Sequence, residues 1–221
     1  MLFRSGRLRR RPFVSGLLEP GWTVAQVVLI ALGAGSILFD GLSQTTPWYE
    51  VFGAPGVPVA TLLLAAFLGL IVVAALAVSR LVGVASTGAG LLPIAIGYLV
   101  AHYLTYLLYD GQRIVIAISD PLQQGSNLFG TAFYQPVAFL PPGLVWTIQL
   151  VAVVGGHMIG AWGGHVVAAR ASARGDVRLR MVPLAIVMVA LTTITLWSLG
   201  QSIVQPPQST AAASVPRPAG G

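Results

Sequence analysis

The chain has 221 residues, 56% of them hydrophobic and only 8% charged, with a mean hydropathy of +0.83. A soluble domain carries about 25% charged residues, so this composition excludes a soluble globular domain, a disordered chain and, despite the net charge of +6, a nucleic-acid-binding module. The absence of Cys excludes disulfides, thiolate metal sites, iron–sulfur clusters and Cys nucleophiles. What remains is an all-α protein, a polytopic transmembrane helix bundle of about five spans.

Residues 1–21 form an Arg-rich arm carrying Arg4, Arg7, Arg9, Arg10 and Arg11. Such an arm determines topology, and it has the charge to meet anionic headgroups at ~1 kcal/mol per Arg. Arg10-Arg11-Pro12-Phe13-Val14 resembles a twin-arginine export signal. The apolar run after it is of full spanning length and reaches Asp40-Gly41 without a small-residue cleavage site, so an uncleaved first helix is expected.

Crossing ~30 Å of hydrocarbon takes about 20 helical residues. Five apolar stretches meet that length, at about 22–40, 58–79, 91–109, 144–169 and 182–204, together making a transmembrane domain over 22–204. Apart from Asp40 at the very end of the first, no charged residue lies in any of them, as expected when each would cost ~2.5–3.5 kcal/mol at mid-membrane. All twelve basic residues are Arg. With the N-terminus inside, ten of them are cytoplasmic and only Arg113 and Arg217 are outside. That asymmetry predicts an N-in, C-out protein of the bacterial cytoplasmic (inner) membrane.

Of the connections, 41–57 is rich in turn formers and places Trp48 and Tyr49 at headgroup level. The one from Arg80 to Gly90 reads as a short inner loop with Gly83, Gly88 and Gly90. The longest, an external loop over 110–143, contains an apolar piece from Arg113 to Ser119 that is too short to span and is expected at the interface or against the bundle. A long loop in a compact protein is a functional candidate. The Pro/Ala/Ser/Gly tail, 205–221, is expected to be a disordered external tail. The odd helix count and the lack of an internal repeat exclude a simple inverted-repeat transporter.

The third span carries Tyr98, His102, Thr105, Tyr106 and Tyr109 at three- and four-residue spacing. They form one polar-aromatic stripe that must face protein or water rather than lipid. The fourth span carries Gln149, His157 and His165, with Gly156, Gly160 and Gly164 repeating every four residues as a helix-packing face. From these span boundaries and 1.5 Å per residue, His102 and His157 lie within ~6 Å of each other in depth. A facing His pair suits a haem iron or a transition metal. The reading favoured for these residues is a hydrogen-bonded network tying helices together, ahead of the metal or haem site and of a solute or proton path. At the outer boundary, Asp40, Asp110, Asp120 and Glu50 have the chemistry for a hard-cation site or a hydrolytic carboxylate pair. Asp40-Gly41, Asp110-Gly111 and Ser119-Asp120-Pro121 also read as helix ends and turns.

Several strings occur together and in order: Phe39-Asp40-Gly41-Leu42, Leu92-Pro93-Ile94-Ala95, Ala101-His102-Tyr103 and Gly111-Gln112, then Ser119-Asp120-Pro121, Leu128-Phe129-Gly130-Thr131, Trp146 with Gln149, and Gly156-His157. In these the chain resembles the C-terminal membrane half of a family of uncharacterised multi-pass proteins, widespread in actinobacteria, that carry the name fenitrothion hydrolase. The resemblance covers roughly residues 10–200. It implies a membrane-bound organophosphate hydrolase and raises the standing of Asp40, His102, Gln112, Asp120 and His157. Family members have a further membrane half before the matched region, which implies a separately encoded partner for this chain. They also show Ala-His-Asp-Arg at the inner end of the fourth helix, where this chain has Gly164-His165-Val166-Val167 and so lacks the acidic neighbour of His165.

The reading adopted from the sequence is a non-enzymatic subunit of a larger inner-membrane complex, embedded in the lipid bilayer with a membrane-protein partner or a second copy of itself. It has a buried His/Tyr/Gln polar network, and the polar-site candidates are Asp40, His102, Tyr106, Asp110, Gln112, Asp120, Gln149 and His157. The alternatives are a membrane-embedded metal- or haem-dependent enzyme of hydrolase type, with His102 and His157 as ligands beside outer-face carboxylates, and a permease component with the Tyr/Thr/His stripe along a solute path.

Overall fold

The computed structural model describes residues 15–19, 21–171 and 177–201. The Arg-rich arm before residue 15 and the tail beyond residue 201 lie outside the described residues. Among those described, seven α-helices occur: α1 (Val24–Ser43), α2 (Thr46–Phe52), α3 (Val57–Val82), α4 (Val84–Tyr109), α5 (Ile114–Ser119), α6 (Pro142–Ala171) and α7 (Val177–Leu199). Five of them, α1, α3, α4, α6 and α7, are long and apolar enough to cross a membrane.

Local sequence sets the helix ends. Thr23 and Gln26 form a reciprocal capping box at the start of α1, satisfying two backbone donors that the first turn leaves open. Pro58 falls in the first turn of α3, where a missing N–H costs nothing. Gly83, at φ +94°, is the single residue between α3 and α4. A side chain there would be strained, and the left-handed turn folds α4 back antiparallel to α3.

Several of the expected boundaries move, and one helix is added. The third span begins at Val84 rather than near 91, because Ser86-Thr87-Gly88-Ala89-Gly90 is buried helix and not an inner loop. Its small residues admit close neighbours: the Trp22 ring lies against Gly88, and Met188 and Leu184 against Gly90. The first span continues to Ser43, which puts Asp40-Gly41 one turn inside α1 instead of at its end. The turn-forming segment after it contains a two-turn helix, α2, with Pro47 in its first turn. The fifth span ends at Leu199, not near 204.

Helix α4 is the centre of the bundle, packing on α1, α3, α6 and α7, with its contact to α6 the most extensive in the molecule. That contact is backbone against backbone. A Cβ added at Gly156 would lie 2.6 Å from the Pro93 carbonyl oxygen, and one at Gly164 would lie 3.1 Å from that of Ser86. Between them, Gly160 lies directly against the Gly90 carbonyl, and Gly97 of α4 against that of Ala152. Without side chains at these points the helices approach closely enough for dispersion between main chains to replace the hydrophobic drive that lipid removes. Three apolar clusters complete the core: Val27, Ala31, Ala75 and Leu91; Leu38, Tyr98, Ala101 and Val153; and Val78, Ile94, Leu184 and Met188.

Candidate functional site

The C-terminal ends of α1, α4 and α7 and the N-terminal part of α6 meet at one end of the bundle. There α1 presents Asp40 and Gln44, one turn apart on one face. His102 of α4 sets its Nε2 2.7 Å from Asp40 Oδ2. Gln44 donates from Nε2 to Asp40 Oδ1 at 3.0 Å and accepts at Oε1 from the Tyr106 hydroxyl at 3.1 Å. Gln149 of α6 donates to the Ala101 carbonyl at 2.8 Å and, at 3.4 Å, to the Thr105 hydroxyl. Tyr98 and Ser198 join α4 to α7 through their hydroxyls, 3.4 Å apart.

Gly41 makes this arrangement sterically possible. A Cβ on it would lie 2.6 Å from the Tyr98 hydroxyl and 3.6 Å from the His102 ring. The imidazole lies among the rings of Tyr98, Tyr103 and Tyr106. Its side chain is only 9% exposed, whereas that of Asp40 is 44% exposed. Asp40 thus joins a covered ring to a wetter rim. With the carboxylate ionised and the ring neutral, the hydrogen bond runs from Nε2–H to Asp40, which fixes the tautomer and leaves Nδ1 as the basic atom. A cavity of about 360 Å³ adjoins the pair, bordered by Gln44, Thr105, Tyr106, Tyr109, Gln149 and Ser198. Its size and its few converging polar groups suit a small hydrogen-bonding molecule.

Of the other candidates Asp110 also borders this cavity, and the rest fall elsewhere. His102 and His157 are not brought together. His102 is level with Gln149, and His157 lies eight residues further along α6, ~12 Å deeper. Counting depth from the span ends misses the register of the two helices, in which Gly156 lies against Pro93 and Gly160 against Gly90, so that His157 is level with the start of the α4 stripe rather than with His102. His157 donates from Nδ1 to the Val153 carbonyl of its own helix at 2.8 Å, and its Nε2 is buried without a hydrogen-bond partner. His165 is exposed near the end of α6. The carboxylates do not converge either. Asp110 pairs with Arg113 on the surface at 2.9 Å, Asp120 accepts from the backbone N–H groups of Gln124 and Gly125 in its own turn, and Glu50 is exposed. Among the described residues no three His, Asp or Glu side chains gather as metal ligands do.

Gln112 serves the long connection rather than the cavity. It follows α4 in a short 3-10 turn (Asp110–Arg113), bonds the carbonyls of Leu108 and Val137, and accepts from the Tyr134 hydroxyl at 2.7 Å. Gln44 and Ser198 were not singled out from sequence, and Gly41 was read only as part of a helix end. The signal for Gln44 was its four-residue spacing from Asp40, visible only once α1 is carried through Ser43. Comparison with protein-family models, with curated proteins and with solved structures yields no match.

Proposed function

We propose that this chain is a multi-pass protein of the bacterial cytoplasmic membrane, N-terminus inside, and serves as a non-enzymatic subunit of a larger membrane assembly. The observation that carries this reading is the network at the Asp40 end. Asp40–His102 and Gln44–Tyr106 join α1 to α4, Gln149 joins α6 to α4, and Tyr98–Ser198 joins α4 to α7. Polar groups spent on bonds between helices make a rigid frame around a small, mostly apolar cavity with a few polar groups on its wall, as a ligand-holding subunit requires. The segregation of Arg to one side of the predicted topology supports the orientation. Affinity purification from native membranes in a mild detergent is expected to bring down one further membrane protein in near-equal amount. Recovery of a lone, stable monomer would contradict the subunit role.

The Asp40–His102 pair favours one second reading, a water-activating site of hydrolase type. Here Asp40 orients the ring, and His102 Nδ1 takes the proton of a water attacking an ester or phosphotriester in the adjoining cavity. Purified protein in lipid nanodiscs would then hydrolyse a chromogenic phosphotriester, and His102→Gln would abolish that turnover. Turnover no faster than buffer, or equal in the variant, retires this reading.

A further inference from the structure

The segment between α4 and α6 is a folded finger. From the 3-10 turn the chain runs out along α5, reverses after Asp120 and returns to Pro142. Its two limbs are joined along their length. Gln112 accepts from Val137 N–H and donates to the Val137 carbonyl, Thr131 donates to the Val115 carbonyl, and the Ser119 hydroxyl and carbonyl accept from Phe129 N–H and Leu128 N–H. The Asn127 side chain accepts from Ser119 and from Ala132 N–H, and Asp120 caps the turn.

A finger so well supplied with internal hydrogen bonds has a surface unsuited to water. Ile114, Ile118, Leu122, Phe129, Phe133 and Phe139 are all more than half exposed, Phe133 at 83%. From residue 114 to 141 the only charged side chain is Asp120, and its carboxylate is already bonded to the turn. The exposed apolar surface also continues that of a spanning helix. On α4, Ile96, Val100, Tyr103 and Leu107 are exposed at three- and four-residue spacing, as on a lipid-facing stripe. The same spacing runs on through Gly111 to Ile114 and Ile118, with the 3-10 turn rotating it by about a quarter turn.

We propose that residues 110–141 are a membrane-interface element, seated among the headgroups and upper acyl chains of the bilayer, rather than an aqueous loop. Lipid is the occupant these features fit. The apolar side chains are spread over both limbs from Ile114 to Phe139, and a fluid solvent covers such a distribution where a protein partner covers one face. The bonds between the limbs hold the finger's shape, and the backbone N–H groups of the return limb that no protein group meets find water at headgroup level, which suits the interface. Phenylalanine and tyrosine at the end of a spanning helix suit the aromatic belt.

The chain has no Cys, so single-cysteine spin labelling is free of background. Labels go at Ile118→Cys, Phe129→Cys and Phe133→Cys, exposed positions where substitution leaves the finger's hydrogen bonds in place. Leu107→Cys is the membrane reference and free label the aqueous one. The purified protein is reconstituted in phosphatidylethanolamine–phosphatidylglycerol vesicles with a water-soluble nickel chelate on both sides. The expected result is that all three labels relax faster with oxygen than with the chelate, as at Leu107. Chelate accessibility like that of free label overturns the proposal, because the finger then stands in water. Protection from both reagents overturns it too, because a second copy of the chain then covers the surface.

Discussion

Gly160→Ala is expected to destabilise the bundle by about 1–3 kcal/mol, the usual cost of forcing a methyl group into a packed contact. Intrinsic helix preference runs the other way, favouring Ala over Gly by about 1 kcal/mol, so a net loss must come from the collision. The colliding atom is the Gly90 main-chain oxygen. It is held by the rest of α4 and cannot turn aside as the end of a flexible side chain can. Gly97→Ala and Gly156→Ala meet main-chain oxygens in the same way and should behave alike. Gly155 is the control one residue away, because a Cβ there meets nothing within 4 Å. Gly155→Ala is expected to be neutral or stabilising by up to about 1 kcal/mol. Thermal unfolding of the four variants in one detergent measures the contrast. Equal stabilities at 155 and 160 would mean that α4 and α6 do not touch through this face.

The second large effect concerns Asp40 and His102. Hydrogen bonds to a charged partner contribute about 1.5–3 kcal/mol when buried. Water competes at Asp40, whose side chain is 44% exposed, which lowers the expected coupling to about 1–2 kcal/mol. Asp40→Asn and His102→Gln should each destabilise the protein, and the double variant should lose less than the sum of the two. The exposed Asp110–Arg113 pair, with side chains 55% and 67% accessible, is the comparison, with a coupling of no more than about 0.5 kcal/mol. Strict additivity at 40 and 102 would show that the two side chains do not interact.

Much of the frame was legible because hydropathy measures what a bilayer selects for, transfer of a helix into hydrocarbon. All five long helices coincide with apolar runs of spanning length. Hydropathy is blind to helix against helix, and the errors arose there. Ser86 to Gly90 has the small, polar composition of a loop, yet those residues are small because Trp22, Leu184, Met188 and α6 lie against them. Asp40-Gly41 has the form of a helix end, yet the glycine is there so that Tyr98 and His102 fit against α1. The spacing of Gly156, Gly160 and Gly164 was visible in the sequence, but the identity of the helix they face was not.

The polar stripe on α4 was legible for the same reason, since its spacing is a property of one helix. Which residues complete it depends on how four helices are rotated, and no single-helix pattern carries that. His102 was paired in expectation with His157, another unusual residue at similar apparent depth. Its partner is Asp40, sixty-two positions earlier in the chain. Asp120 caps a turn, as its Ser-Asp-Pro context implies.

The central claim is that a carboxylate of α1 fixes the imidazole of α4 beside a small cavity. The protein has three histidines, so isotope-labelled histidine gives a magnetic resonance spectrum of three imidazoles in lipid bilayers. His102 should carry its proton on Nε2, facing Asp40, and His157 on Nδ1, facing the Val153 carbonyl. In Asp40→Asn only the His102 nitrogens should shift markedly, with those of His157 and His165 staying in place. A His102 signal indifferent to Asp40, or one with its proton on Nδ1, would contradict the account.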